Sequence, residues 1–101
     1  MIARVWRGRG TADGIRRYCR EHFEPVVLSE LRRQPGFVAA EVLAADDEVI
    51  VVTRWESLDA VRGFAGDDCD RAVVEPVVAD LLDSFDETVT HSTVVLRQGR
   101  L

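Results

Sequence analysis

The chain has 101 residues, enough for one domain around one core, and its 47% hydrophobic and 31% charged content belongs to neither a disordered nor a membranous protein. The net charge of −5 argues against a nucleic-acid-binding surface. No apolar run approaches the ~18 residues of a membrane helix, and the opening MIARVWRGRG has no apolar stretch behind its charges to serve as a secretory signal, so a cytoplasmic protein is expected.

Ile2 to Arg7 alternates, with Ile2, Arg4 and Trp6 on one face, and predicts the first strand. Gly8 to Gly14 reads as a loop with Thr11 or Asp13 as the candidate helix cap. From there to about Arg33 the apolar period is helical: Ile15, Cys19, His22 and Val26 share a face flanked by Tyr18 and Phe23. Pro25 removes a backbone donor and predicts a kink or a restart, and Gln34-Pro35-Gly36 ends the segment. Phe37–Leu43 and Val49–Trp55 read as an antiparallel pair joined by the Ala44–Asp47 turn. Val49 to Val52 is a β-branched run with no polar face, so both of its sides need covering.

Ser57 caps a helix predicted to reach Ala65. After Gly66-Asp67-Asp68, Cys69 to Glu75 is read as one or two further helical turns, and Pro76 starts a piece with an apolar stripe of Val77, Val78, Leu81 and Leu82. Thr88 to Leu96 is the last predicted strand, with Val89, His91, Thr93 and Val95 on one face. The order βαββαβ predicts an α+β, ferredoxin-like domain over residues 1–101, with a four-stranded antiparallel sheet and both helices on one face. The opposite face keeps apolar residues on the second and third strands, which predicts a homodimer through sheet-to-sheet packing.

Cys19 and Cys69 are expected to be free thiols, and without a CxxC, HxxxH or HExxH spacing no metal site is predicted. The strand end T-R-W-E-S, then L-D-A-V-R-G-F-A-G-D-D, R-A-V-V-E-P and a final V-T-H resemble the antibiotic biosynthesis monooxygenase family of dimeric α+β barrel proteins, over essentially the whole chain. The resemblance implies oxidation of a small aromatic or polyketide-like substrate by O2 with no cofactor, in a pocket between sheet and helices. It places Trp55 at the position of a shared pocket residue. Haem degradation, found in other members, is disfavoured, because those use a first-strand asparagine and a histidine on the second helical region. This chain has no asparagine and no histidine between Trp55 and Phe85.

Such chemistry needs a proton acceptor and a partner for a developing oxyanion in a dry pocket. His22 and His91 are the candidate catalytic residues, and Trp55, Trp6 and Tyr18 the candidate substrate-binding residues, with Arg4 or Arg54 as further polar groups. His91 belongs to the pocket if its face meets the helices and to the dimer interface if it does not. The alternative is a non-catalytic, small-ligand-binding dimer, expected if Phe23, Phe64, Leu81 and Trp55 fill the space between helices and sheet. The expected partners are therefore a second copy of the chain and a small hydrophobic or aromatic ligand.

Overall fold

The computed structural model describes residues 1–99. Strand β1 (Ile2–Arg9) is followed by a continuous helical rod made of α1 (Ala12–Arg17), a π-helical stretch (Tyr18–Val27) and α2 (Leu28–Leu31). Strands β2 (Phe37–Ala44) and β3 (Glu48–Trp55) form the hairpin, α3 spans Leu58–Ala65, α4 spans Val78–Leu81, and two short strands close the chain, β4 (Ser84–Phe85) and β5 (Thr90–Thr93). The fold is α+β and ferredoxin-like, an antiparallel sheet in the order β2-β3-β1-β4 with β5 also pairing β1.

The alternation in β3 decides the layering. Val49, Val51, Thr53 and Trp55 are buried beneath the helices, while Glu48, Ile50, Val52 and Arg54 are only half-buried on the outer face. Register carries the same division across the sheet: Ile2, Arg4, Trp6 and Gly8 lie opposite Trp55, Thr53, Val51 and Val49. Thr11 is the cap of the first helix, its hydroxyl accepting from the Gly14 N–H at 3.0 Å, and Ser57 caps α3 through the Ala60 N–H at 3.1 Å. Gly14 is set by a close approach, since a Cβ there would strike the carbonyl oxygen of Leu81. Gly36 takes a φ of 81° in the turn before β2, with Ala60 packed against it.

Four expectations are corrected. The expected four-stranded sheet has five named strands, because its fourth strand is broken. β4 pairs Gly8 with Phe85 and β5 pairs Val5 with Thr90, so the chain takes five steps where β1 takes three. The two extra residues form a bulge at 86–89 that turns Val89 inward. Val95 and Leu96 lie beyond β5 and are exposed.

Cys69 to Glu75 is not helical; it runs along the bulge, joined by the Ala72 N–H to Glu87 O (2.8 Å), the Val89 N–H to Asp70 O (2.8 Å) and an Arg71–Thr88 bridge. Pro25 does not restart the helix; it lies inside a π-helical stretch, where the Leu28 N–H donates to Phe23 O in the i→i+5 pattern. Finally, β1 runs on to Arg9 and α1 begins at Ala12, which leaves a shorter first loop than Gly8–Gly14.

Candidate functional site

The π-helical stretch turns Tyr18, His22 and Phe23 inward, all three buried. Steps of four and five residues keep Tyr18, His22, Phe23 and Val27 on one side of a widened helix, which is why this segment presents so many large groups to the sheet. Opposite them, β1 contributes Arg4 and Trp6 and β3 contributes Val51 and Thr53, the inward set of both strands. Phe64 of α3, the strap 72–75 and Val89 of the bulge complete a half-open cavity of about 60 Å³, room for a handful of waters.

Of the polar and aromatic groups singled out in the sequence, the cavity brings together His22, Tyr18, Trp6 and Arg4. The Tyr18 ring lies 5.8 Å from Trp6 and 5.9 Å from His22 between centroids. The Trp6 indole N–H donates to Asp86 O at 2.8 Å, so its ring rather than its polar end is offered to the cavity. Burial, reinforced by the nearby Cys19 and Glu75, raises the pKa of the Tyr18 phenol far above its usual range, which keeps it a hydrogen-bond donor. His22 Nε2 stands 2.6 Å from Glu75 Oε2, joining a nearly enclosed imidazole to a carboxylate on the strap.

Trp55 and His91 are placed elsewhere. Trp55 is fully buried next to the cavity but not on its wall; it stacks on Phe64 (5.3 Å), meets Phe37 edge-on (5.5 Å) and donates its indole N–H to Thr53 Oγ1 at 2.9 Å. His91 is on the inner face, in register with Arg4, yet sits behind that arginine. Its Nε2 is 2.9 Å from Arg4 Nη1 and its Nδ1 is 3.0 Å from Asp70 Oδ1. Arginine can only donate, so in this contact Nε2 accepts and Nδ1 is the nitrogen that faces Asp70. Arg54 lies on the outer face, paired with Glu41 at 3.2 Å.

Glu75 is the polar wall residue that the sequence pattern did not single out, while Phe64 lies in the space between helices and sheet where it was expected. One signal pointed to Glu75: it follows two valines and precedes Pro76, a context that favours extended backbone over the helix expected there. Among the described residues, Cys69, Asp70 and His91 have ligand atoms within 4.8 Å of one another. The Arg4 guanidinium already supplies the positive charge at that cluster and occupies Nε2, which opposes a metal ion there.

The profile of the antibiotic biosynthesis monooxygenase family matches residues 9–75, well over half of the chain. No curated protein sequence matches. Solved structures similar to this one include a monooxygenase from the gene ActVA-Orf6 of Streptomyces coelicolor in complex with nanaomycin D, at 21% identity and a TM-score of 0.65 over 99% of this chain and 90% of that one. SnoaB, a cofactor-independent oxygenase from Streptomyces nogalater, shares 21% identity with a TM-score of 0.54 over 97% of this chain and 94% of its own. MhuD, a haem degrader from Mycobacterium tuberculosis with two haems bound in its active site, shares 17% identity with a TM-score of 0.63 over 98% of this chain and all of its own. At these identities the likeness is one of fold.

Proposed function

The chain belongs to the antibiotic biosynthesis monooxygenase family, and from that premise we propose that it is a cofactor-independent monooxygenase acting on a small aromatic or polyketide-like molecule. The observation that carries the reading is the His22–Glu75 pair at 2.6 Å on the wall of an aromatic-lined cavity. An imidazole oriented by a carboxylate is the arrangement that takes a proton from a phenol or an adjacent ring CH2 near neutral pH. The resulting electron-rich anion reduces O2. Overall, the ring CH2 gives up both hydrogens and gains one oxygen atom as a ketone, and the second oxygen leaves as water. Tyr18, kept protonated, donates to a substrate oxygen, and Trp6 and Phe64 wall in the ring.

The test is O2 uptake with anthrone-type phenols and no added metal or flavin. Turnover is expected, falling roughly 10²–10⁴-fold in His22→Ala and Glu75→Gln. A folded protein that consumes no O2 across such a panel refutes the reading. The second reading is a binding protein without turnover, in which the same phenols bind and dissociate unchanged. Haem titration should then, as in the first reading, give no Soret band.

The outer face of the sheet carries Val5, Leu43, Ile50 and Val52 in one patch rimmed by Arg7, Glu41 and Arg54. Burying such a face requires a partner, and a second copy of the chain supplies a matching one by two-fold symmetry. A homodimer through sheet-to-sheet packing is therefore part of the proposal. No helix among the described residues is long and apolar enough to cross a membrane.

A further inference from the structure

We propose that the cavity takes its ligand as an oxyanion, a carboxylate or phenolate on an aromatic frame, with Arg4 as the counter-charge and His91 and Asp70 as the clamp that aims it. The inference rests on the cavity being the ligand site and names the chemistry of what it holds.

Arg4 is 5% exposed in the middle of the sheet, and it lines the cavity. A guanidinium has five N–H donors and stays charged in proteins. Three are accounted for: Nη1 reaches Cys69 O and His91 Nε2, and Nη2 reaches Arg71 O at 3.0 Å. Every one of these acceptors is uncharged. Among the described residues no carboxylate stands at ion-pair distance from Arg4. Asp70 is hydrogen-bonded to the far side of the His91 ring and acts on Arg4 only at longer range, where its charge, with Cys69, offsets part of the effect of burial.

Among the described residues the one carboxylate on the cavity wall, Glu75, is committed to His22. The Phe64 ring, 5.9 Å from the guanidinium carbon, offers only a weak cation–π contact. A buried cation without a direct counter-ion is costly to maintain, and burial lowers the pKa of Arg4 from its ordinary value. The fork with its remaining donors is suited to two parallel bonds with a carboxylate or a strong bond with a phenolate. The chain's net charge of −5 gives no general attraction for anions, so any preference for one must arise locally.

Calorimetric titration of the full chain with naphthoate and with naphthamide, alike in shape and different in charge, tests this directly. The wild type should bind the carboxylate at least ten-fold more tightly than the amide. Arg4→Gln should bring that ratio close to one while changing amide affinity little, and Arg4→Lys should retain part of it. His91→Ala should lower the ratio without abolishing amide binding, the signature of a positioning residue.

Equal or tighter amide binding by the wild type, no binding of either compound, or an unchanged ratio in Arg4→Gln overturns the proposal. The wild-type ratio decides the matter even if Arg4→Gln does not fold. O2 uptake is read separately. A charge preference without turnover upholds Arg4 and removes the oxygenase reading, and turnover without a charge preference does the reverse.

Discussion

Replacing Trp55 by phenylalanine separates a core residue from a ligand-contacting one, because the two roles predict opposite readouts. Trp55 has 0% exposure, stacks on Phe64, meets Phe37 edge-on and donates to Thr53 Oγ1. Phenylalanine retains one ring but loses the indole N–H bond, about 1 kcal/mol, and leaves a void where the second ring was, which adds about 1–2 kcal/mol. A loss of about 2–3 kcal/mol in a domain of this size lowers Tm by roughly 8–24 °C. Because Trp55 does not reach the cavity wall, affinity for an aromatic ligand measured well below the new Tm should change less than about three-fold. Melting by circular dichroism and calorimetric ligand titration give the two numbers. A variant that keeps its Tm and loses ligand binding refutes the placement of Trp55 in the core.

Three further outcomes are expected. Tyr18 is the chain's single tyrosine, so ultraviolet titration reports on it alone; no phenolate should form in the folded protein at the usual midpoint near 10. Its raised pKa leaves stability untouched below the unfolded value and removes it as pH climbs from about 10 toward the folded one, so phenolate should appear together with unfolding. Phenolate absorbance with a midpoint near 10 in folded protein contradicts the buried site. Gly14→Ala drives a Cβ into the Leu81 carbonyl and should cost about 1–3 kcal/mol in denaturant melts, with an unchanged midpoint as the contrary result. Ile50→Asp, on the outer sheet face, should convert a dimer to a monomer in light scattering; a wild type already monomeric at high concentration removes the dimer proposal.

The parts of the fold legible in the sequence were those fixed by local pattern. The alternation in Ile2–Arg7 placed Arg4 and Trp6 on one face. The Val49–Val52 run marked the central hairpin strand, and Thr11 and Ser57 announced helix starts through the hydroxyls their first turns require. What stayed hidden depends on contacts distant in sequence. The non-helical run from Cys69 to Glu75 exists because the 86–89 bulge offers it partners, seen in Ala72 to Glu87 and Val89 to Asp70. An apolar period alone cannot report those bonds. Nor does a 3.6-residue period distinguish an α-helix with a proline from a π-helix, since both bring Tyr18 and His22 inward.

For the site, the same limit has a sharper form. Tyr18, His22 and Trp6 were found because a helical face and a strand face each point in one direction. Glu75 stays hidden because the pattern of its segment reads as helix, and the meaning of Arg4 and His91 lies in a pair that neither position reveals alone. The strap links these cases physically. The residues leading into it are held by Arg4 through the carbonyls of Cys69 and Arg71, and its far end faces His22 through Glu75. A ligand oxygen that engages Arg4 therefore meets a group that also holds the strap, and a proton moved at His22 alters the strap's other end. Single substitutions at Arg4 and Glu75 should not add, because both perturb one segment closing one cavity. The coupling energy from an Arg4→Gln, Glu75→Gln cycle in ligand affinity measures that link, and a value near zero would mean that the two ends of the strap act independently.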